Sequence, residues 1–339
     1  MSQLSGIVAG GNWIVDKIKI IDTYPQQDAL ANLLHHSSCN GGSPFNVLTA
    51  LAKLGAAFPL TGVGLIGDDP DGRWIRQKCE AYGINIAGLA THHEAPTSFT
   101  DVMTVKASGR RTFFHHRGAN AFLGPEHFDF SSLQGKIFHL GYLLLLDRLD
   151  QSDMEFGTVA GRLLHAATLA GFKTSIDVVS EDSGRFADIV LPALPQVDYC
   201  ILNEFELERT SGQKTHNEGK VDLPGIRSAA AKLLAAGVRE HVIVHFPDGA
   251  CALSADGTFR ARGSIRMPAS EIVGAVGAGD AFAAGILLGL HEGAPIEDAL
   301  RIGSAAAASS LMSAGTSDSI QSLAECLVLE RLHGIRELN

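Results

Sequence analysis

The chain of 339 residues lacks the features that mark disulfide scaffolds, thiolate metal sites, nucleic-acid binders and membrane proteins. Its five cysteines are scattered and form no Cys-x-x-Cys pair, which argues against a disulfide framework or a thiolate zinc site. Lysine and arginine total 27 against 37 acidic residues, so the basic face that nucleic-acid binding needs is missing. The apolar runs are too short to span a bilayer, and the N-terminus does not resemble a signal peptide. We therefore expect a soluble, cytoplasmic protein that binds neither nucleic acid nor membrane.

Several familiar catalytic signatures are also missing. The sequence contains no G-x-x-x-x-G-K-[ST] loop, no G-x-S-x-G turn and no His-Glu-x-x-His segment, so a Walker nucleotide site, a serine hydrolase and a zinc protease have no starting point. Adjacent histidines on a strand point to opposite faces and rarely share a metal. We therefore interpret the three adjacent pairs as solvated or core histidines: His35-His36, His92-His93 and His115-His116.

Residues 62–67 match the dinucleotide-binding pattern G-x-G-x-x-G. A dinucleotide loop should open a helix directly after its last glycine, whereas here the acidic run Asp68-Asp-Pro-Asp71 follows and would repel a pyrophosphate. We predict the end of a strand and its turn at this position. A Rossmann oxidoreductase is kept only as a minor alternative.

Short apolar runs alternate with amphipathic stretches along most of the chain. Strands are predicted at 136–140, 174–178 and 199–202, and helices at 156–170 and 226–236. Strands that alternate with helices favour βαβ units and a mostly parallel sheet covered by helices on both faces. The sequence therefore predicts a three-layer α/β core.

Three segments break this alternation and are predicted to form a small β-sheet, at about 14–22, 35–40 and 97–117. Within the last segment, Ala107-Ser-Gly-Arg110 is typical of a hairpin turn. Such a sheet can be a lid over a site or an edge extension of the core, and the residues leave both interpretations open.

The run Gly274-Ala-Val-Gly-Ala-Gly-Asp280 predicts a glycine turn that opens a helix. Free amides at such a turn, together with the helix dipole, stabilise an anion. A carboxylate there suits a transient anion: the amides hold the charge of a transferring phosphoryl group, and Asp280 accepts a proton from the attacking hydroxyl. An ordinary aspartate N-cap is the structural alternative.

Two other segments are ambiguous on their own. Gly41-Gly42 precedes a helix start, where glycines let a ligand approach the backbone and Asn46 can bind a hydroxyl. Asn203 and Glu206 either form a capping box or hold the water shell of Mg²⁺ beside phosphates.

Taken together and in this order, these residues resemble the ribokinase-like sugar kinases, also called the PfkB carbohydrate kinase family. The resemblance covers nearly the whole chain and rests on Gly11, Asp16, Gly41-Gly42 with Asn46, Asn203-x-x-Glu206 and Gly277-Ala-Gly-Asp280. It implies one ribokinase-like α/β domain over residues 1–339, with the small β-sheet as a lid and as the interface of a homodimer. It also implies a kinase that uses ATP and Mg²⁺ to phosphorylate a small sugar.

The resemblance further implies roles for individual residues. Asp280 would be the catalytic base, and the amides of Gly277, Ala278 and Gly279 would form the anion hole. Asn203 and Glu206 would organise Mg²⁺ and the phosphates. The sugar would be bound by Asp16, Asn12, Gly41, Gly42, Asn46 and Arg117, and the nucleotide would be held by Asn203, Glu206, His245, Gly249, Ser304 and Ala308.

The chain departs from the family pattern before the glycine turn. Family members usually carry Asp-Thr-Thr where this chain has Gly274-Ala275-Val276, which argues against strong dependence on a monovalent cation. A Thr-x-Gly turn is replaced by His245-Phe-Pro247, so contacts to the nucleotide ribose are expected to differ.

The acceptor is the least defined part of the prediction. A neutral hexose or pentose is the default, whereas Arg111 and Arg117, on one face of a strand, would suit a sugar acid. Phe113 and Phe114 could instead stack on the base of a nucleoside. A non-catalytic sugar or nucleotide sensor on the same fold is the alternative from another functional class.

Overall fold

A computed structural model describes residues 4–338 as a large sheet flanked by helices, with smaller sheets beside it. The strands are β1 (Ile7–Gly11), β2 (Ile14–Ile21), β3 (Leu33–Gly41), β4 (Leu60–Gly67), β5 (Asn85–His92), β6 (Ser98–Val105), β7 (Arg111–His116), β8 (Ile137–Leu143), β9 (Ser152–Asp153), β10 (Gly157–Thr158), β11 (Lys173–Val178), β12 (Tyr199–Asn203), β13 (His216–Asn217), β14 (Lys220–Val221), β15 (His241–Phe246), β16 (Gly249–Ser254) and β17 (Phe259–Gly263). The helices are α1 (Ser43–Leu54), α2 (Pro70–Ala81), α3 (Val159–Leu169), α4 (Phe186–Ala193), α5 (Glu204–Ser211), α6 (Leu223–Ala235), α7 (Ala278–His291), α8 (Ile296–Ser310) and α9 (Leu323–His333).

The large sheet has nine strands in the order β17-β16-β15-β12-β11-β8-β1-β4-β5. The seven strands from β15 to β5 pair in parallel, and only β16 and β17 are antiparallel. The predicted fold class, a mostly parallel sheet in an α/β core with a separate small sheet, is therefore confirmed.

Helices cover both faces of this sheet. Side chains alternate across a strand, so Ile7 and Ala9 of β1 join the core beneath α1, α2, α7 and α8, while Val8 joins the core beneath α3 to α6. Burial on both faces explains why the parallel strands read as nearly continuous apolar runs. Within the described residues, no helix has the combination of length and apolar character that crossing a membrane requires.

The small sheet contains four strands in the order β3-β2-β6-β7. β3 and β7 pair antiparallel with their neighbours, and β2 and β6 pair in parallel. The hairpin predicted around 107–110 joins β6 to β7. This sheet stands apart from the large one and contributes one face to the cleft described below.

Trp13 anchors the base of the small sheet to the core. The indole is fully buried, stacks on Phe45 with ring centroids 5.5 Å apart, and donates from Nε1 to the Val63 carbonyl at 2.9 Å. Asn120 completes the anchor, because it accepts from the Trp13 amide at 3.3 Å and donates to the Trp13 carbonyl at 3.2 Å. The junction between β1 and β2 is thereby held in place.

The glycines of the segment 62–67 belong to this packing and not to a nucleotide loop. β4 is buried along its whole length, and a Cβ on Gly62 would lie 2.5 Å from Cζ2 of Trp13. A Cβ on Gly64 would lie equally close to the indole nitrogen. The Trp13 indole therefore explains the first two glycines of the G-x-G-x-x-G pattern, whereas a Cβ on Gly67 would lie 2.4 Å from the Thr97 amide nitrogen.

Several elements of the fold were not predicted, and α4 and β16 show why. Helix α4 contains Pro192 and has only eight residues, so its helical period is too short to recognise. Strand β16 is buried throughout, yet its sequence GACALS lacks the β-branched and aromatic residues typical of strands. Both elements form because the surrounding core buries them.

Gly64→Ala should destabilise the protein. The added methyl group would overlap the Trp13 indole, and overpacking of this kind costs about 1–3 kcal/mol of unfolding free energy. Chemical denaturation would measure the loss. Gly184→Ala is the matched control because a Cβ there meets no atom within 4 Å. Equal stability of the two variants would contradict the packing argument.

Candidate active site

A cleft with a volume of about 960 Å³ lies at the carboxyl ends of the parallel strands. Tyr142 (β8), Asp177 (β11), Asn203 (β12) and His245 (β15) line it from the large sheet. The small sheet contributes a further wall, and the start of α7 closes the floor. Open parallel sheets place their ligand sites at this edge, because the strand ends converge there.

Helix α7 presents free amides to the cleft. It begins at Ala278, after Gly277, whose φ of +75° is a left-handed conformation that glycine adopts without strain. The amides of Gly279 and Asp280 donate to no acceptor within residues 4–338. A Cβ on Gly279 would meet only the His245 ring, at 3.2 Å, so the space above this turn is open. The turn can therefore receive an anion.

Asp280 lies directly beyond these amides and is only 6% exposed. Its Oδ2 accepts from Asn46 Nδ2 at 2.7 Å, and Tyr142 donates to its Oδ1 at 2.7 Å and Oδ2 at 2.8 Å. Burial and the charge of Asp177 raise the pKa of Asp280 to about 7, against the lowering effect of the two hydrogen bonds. A carboxylate with this pKa can exchange a proton near neutral pH.

The orientation of the Asn46 amide is set by its other partners. Asn40 donates from Nδ2 to Asn46 Oδ1 at 2.6 Å, and Asn40 Oδ1 in turn accepts from Ser317 at 3.0 Å. Since the Asn46 oxygen is occupied, its NH₂ group faces Asp280. A chain of neutral amides thus ends on the buried carboxylate.

Asp177 is a site residue that sequence reasoning missed. It is 7% exposed, its Oδ2 accepts from Ser43 at 2.7 Å and lies 3.3 Å from His139 Nε2, and its Oδ1 is buried without a partner. Its charge raises the pKa of both Asp280 and Glu206. A polar residue at the end of the apolar strand predicted at 174–178 was the only available signal.

Sequence reasoning missed Tyr142 as well, because it lies in an apolar run that was considered only as a possible membrane span and was too short for one. Burial and the charge of Asp280 raise the pKa of Tyr142 well above its usual value, so its hydroxyl stays a proton donor. Tyr142 lies near the carboxyl end of β8, just after the strand predicted at 136–140, and that position was the signal that could have marked it.

Asn203 and Glu206 form the capping box and also line the cleft. Asn203 Oδ1 accepts from the Glu206 amide at 2.8 Å, and Glu206 Oε2 accepts from the Asn203 amide at 2.9 Å. Glu206 Oε1 accepts from Ser180 at 2.7 Å. Burial raises the pKa of Glu206 to about 8, so this acid favours its neutral form until a cation approaches. The capping box is therefore present, and its place beside the cleft is compatible with a role in binding Mg²⁺.

Asp16 and Gly42 reach the cleft from the other side. Burial, followed by the charge of Asp280, raises the pKa of Asp16 to about 7, and a hydrogen bond from Thr100 opposes the shift. Gly41 lies behind Asp16, because a Cβ at position 41 would come within 2.5 Å of the Asp16 carboxyl carbon. This glycine leaves room for the carboxylate.

Six of the predicted site residues do not line the cleft. Asn12 is fully buried, donates to the Leu145 carbonyl at 3.0 Å and accepts from the Tyr142 amide, so it holds the end of β8 in place. Ser304 and Ala308 face the core, where α8 packs on α7 and the Ser304 hydroxyl donates to the Leu300 carbonyl at 2.8 Å. The remaining three are Gly41, behind Asp16, Ala278, at the start of α7, and Gly249, within the antiparallel strand pair.

Arg117 lines the cleft but is already paired. Its guanidinium lies 3.3 Å from Asp147 and 3.7 Å from Glu181, and it donates to the Leu144 carbonyl at 3.2 Å. Arg111 also lines the cleft and, within residues 4–338, forms no ion pair. The Arg111 guanidinium carbon lies 5.9 Å from the centroid of the Phe113 ring. Of the two arginines, Arg111 presents the uncompensated charge.

No three His, Cys, Asp or Glu side chains in the described part of the chain form a preformed metal site. Mg²⁺ rarely needs one, because it usually keeps several waters and takes its other ligands from one or two carboxylates and from phosphates. Asn203 and Glu206 fit that manner of binding.

Comparisons with known proteins agree with the fold. The family described as pfkB family carbohydrate kinase matches residues 14–323. A fructokinase of Klebsiella pneumoniae is 30% identical over 83% of this chain and 84% of its own length. The structure of Arabidopsis thaliana ribokinase complexed with ribose and ATP superposes with a TM-score of 0.77 at 24% identity, over 96% of this chain and 99% of that one. A putative ribokinase II of E. coli, in complex with ATP and Mg²⁺, gives 0.75 at 21% identity, over 97% and 100% of the two chains.

Glu206→Gln should flatten the dependence of stability on pH. The raised pKa of Glu206 means that its stabilising contribution is complete below about pH 4.5 and is lost as pH rises through about 8. Glutamine mimics the neutral acid and does not titrate. Between pH 6 and pH 9 the variant should lose roughly 1–3 kcal/mol less unfolding free energy than the parent protein.

Urea denaturation at the two pH values, without nucleotide or Mg²⁺, would measure this difference. Glu155→Gln is the control, because Glu155 is exposed and its replacement should leave the parent dependence unchanged. A Glu206→Gln variant that loses as much stability as the parent would contradict the assignment.

Proposed function

This chain belongs to the pfkB family of carbohydrate kinases, and we propose that it transfers the γ-phosphate of ATP to a hydroxyl of a small sugar or sugar acid. The observation that carries the proposal is the position of Asp280, a buried carboxylate with a pKa of about 7 directly beside the free amides of α7. The amides supply an anion site and the carboxylate supplies a proton acceptor, which phosphoryl transfer to an alcohol needs together.

In this proposal, Asp280 takes the proton of the acceptor hydroxyl as the new phosphorus–oxygen bond forms. Asn46 and Tyr142 orient the carboxylate and stabilise its ionised form through their hydrogen bonds. The amides of Gly277 and Gly279 form the anion hole for the transferring group, with the helix dipole behind them, whereas the predicted third member, the Ala278 amide, donates to the Ala275 carbonyl at 3.5 Å. Asp16 and Gly42 hold the sugar in the cleft.

The residues present fit a nucleotide bound with Mg²⁺. The open space over Gly279 can take a phosphate, and Asn203 with Glu206 can hold the water shell of the ion at the neighbouring strand end. Bound Mg²⁺ would neutralise charge on the phosphates. A monovalent cation is not part of the proposal, since Gly274-Ala275-Val276 offers no side-chain oxygen.

Among the possible acceptors, the position of Arg111 favours a sugar acid. Its partly buried guanidinium lines the cleft without an acidic partner, and burial lowers the pKa of Arg111 because its charge is uncompensated. A carboxylate on the acceptor would supply the missing counter-charge. Neutral hexoses and pentoses remain the reference substrates.

We further propose that the whole chain acts as one domain and dimerises through the small sheet, which would then serve as the lid. Four large apolar side chains support the dimer, since they are about half exposed on the edge strands of that sheet: Leu33, Leu34, Phe113 and Phe114. Exposed large apolar side chains are typical of an interaction surface, and these form two pairs, one on each of the opposite edge strands β3 and β7.

Asp280→Asn should abolish most turnover and leave the fold intact. Asparagine keeps the size of the side chain but cannot accept the proton, so the turnover number should fall by several orders of magnitude. ADP release would be measured over D-fructose, D-ribose, D-glucose, 2-keto-3-deoxy-D-gluconate and adenosine. Glu155→Gln is the control for a distant exposed acid.

Turnover of the Asp280→Asn variant within about tenfold of the parent would exclude Asp280 as the base. Failure of the parent protein to release ADP with any acceptor would favour the non-catalytic sensor. Faster turnover with 2-keto-3-deoxy-D-gluconate than with the neutral sugars would support the role of Arg111.

The pH dependence of the reaction should report the pKa of Asp280. The base must be ionised, so kcat/KM should decline as pH falls below about 7. Tyr142→Phe removes a hydrogen bond that lowers this pKa, and the acidic limb should therefore move to higher pH. Rates at saturating ATP and Mg²⁺ between pH 5.5 and 9 would test the shift, and a limb that stays in place or moves to lower pH would contradict it.

A further inference from the structure

The chain turns sharply at the end of β8, and one residue of this turn is strained. The Leu145 amide donates to the Tyr142 carbonyl at 3.3 Å, and Leu144 has a φ of +78°. A positive φ at the third residue of a hydrogen-bonded four-residue turn is the type II pattern, in which that residue is usually glycine. Leucine adopts this left-handed backbone only at a cost in free energy. The Leu144 side chain is fully buried in the core, which offsets part of that cost.

Hydrogen bonds hold this turn, residues 142–145, on both sides. Asp150 accepts from the Leu144 amide at 3.1 Å with one carboxyl oxygen and from the Leu146 amide at 3.0 Å with the other. Asn12 contacts both ends of the turn, since it accepts from the amide of the first residue and donates to the carbonyl of the last. A strained backbone persists where its surroundings determine it in this way, and such strain is common at functional sites.

Two arginines hold the carbonyl of the strained residue. Arg117 donates to the Leu144 oxygen at 3.2 Å and Arg185 donates to it at 3.0 Å. Glu181 lies 3.7 Å from Arg117 and 2.6 Å from Arg185, so its charge offsets the repulsion between the two guanidinium groups. Arg117 follows β7 and Arg185 precedes α4. The turn is therefore tied to the small sheet and to the segment that follows β11.

The turn connects Asp150 to the cleft. Tyr142 and Leu145 line the cleft, and the Tyr142 hydroxyl donates to both carboxyl oxygens of Asp280. Asp150 is buried and is not part of the cleft wall, so it can affect the site only through the turn. Burial raises the pKa of Asp150 to about 7, although its two amide bonds and the charges of Arg185 and Arg117 oppose the shift.

We propose that Asp150 is a positioning residue for the base: it holds the strained turn closed, and the turn keeps the Tyr142 hydroxyl on Asp280. This inference rests on the proposed function only for the role of Asp280 as a base. Without Asp150, the buried amides of Leu144 and Leu146 would lack an acceptor. Leu144 would then relax towards an unstrained backbone, and Tyr142 would move with it. The alternative is that Asp150 stabilises the fold without affecting the base.

The ionisation of Asp280 reports the contact with Tyr142, because that hydrogen bond lowers the pKa of Asp280. Carbon-13 spectra of the protein labelled at its aspartate carboxyl carbons, recorded without ligand over a range of pH, would give the titration midpoint. Asp280→Asn would identify the signal by its loss. Asp150→Asn keeps the size of the side chain but turns an NH₂ group towards one of the two amides. The Asp280 midpoint should rise by about 0.5 to 1.5 pH units in that variant.

The direction of the change separates the turn from a direct effect of charge. Loss of the negative charge of Asp150 would by itself ease the ionisation of Asp280 and lower the midpoint, whereas loss of the Tyr142 contact raises it. Asp147→Asn is the matched control, because it removes an acid from the same loop without touching the amides, and the midpoint should stay within about 0.2 units. The other ionisable groups that face Asp280 are unchanged in these variants: Asp16 of β2, Asp177 of β11, His139 of β8 and His245 of β15.

A double-mutant cycle tests whether Asp150 acts through Tyr142. Tyr142→Phe already lacks the hydroxyl, so Asp150→Asn should cause no further rise in that background. A midpoint that is unchanged or lower in Asp150→Asn alone would overturn the proposal. A rise of the same size in both backgrounds would also overturn it, because Asp150 would then act by another route.

Two substitutions of Leu144 test the strained turn while Asp150 is retained, and they decide the question if Asp150→Asn does not fold. Leu144→Ala and Leu144→Gly both remove the buried side chain, but only glycine adopts the positive φ without strain. The Asp280 midpoint should therefore rise more in the alanine variant, and equal midpoints would contradict the proposal. The titration needs no substrate, so failure of the parent protein to release ADP would count against the proposed function alone.

Discussion

The physical constraint on which the site depends is the burial of four carboxyl groups, Asp16, Asp177, Glu206 and Asp280, beside one cleft. Burial is the largest cause of the raised pKa of Asp16, Glu206 and Asp280, and the charge of a neighbouring carboxylate adds to each of these shifts. The chain offsets this by different means at each acid. Asp280 has an amide, a phenol and the start of a helix, whereas Asp177 has a serine and a histidine. Such a cleft has a strong affinity for protons and cations, which a phosphate ligand with its counter-ion would satisfy.

The fold makes this crowding possible because parallel strands end at the same edge. Each of β8, β11, β12 and β15 contributes one polar side chain where its apolar run stops. The remaining side chains come from the other layers, so Asn46 and Asp280 meet although 234 positions separate them in sequence. Burial of the strands on both faces stabilises this edge, and no single loop has to hold the site by itself.

The sequence predicted the parts of the molecule that have a local pattern. The alternation of strands and helices led to the fold class, and the glycine turn before Asp280 marked the helix that faces the cleft. Asp177 and Tyr142 had no such pattern, because their importance comes from the neighbours that the sheet brings to them. Ser304 and Ala308 have a local pattern, but the pattern has two explanations. Small residues allow a flat ligand to approach a helix, and they equally allow two helices to pack closely. Here they lie where α8 packs on α7.

The anchor at Trp13 also determines how far each part of the small sheet can travel. If the sheet tilts, the pivot lies at its base, where the indole and Asn120 hold the chain. Asp16 stands about 10 Å along the strand from Trp13, and Arg111 stands about 23 Å from it, given the rise of a strand. The same rotation therefore moves Arg111 roughly twice as far as Asp16. A molecule that enters the cleft would therefore contact the Asp16 carboxylate, which moves less, before the Arg111 guanidinium, which moves more. The order of these contacts follows from the distance of each residue from Trp13.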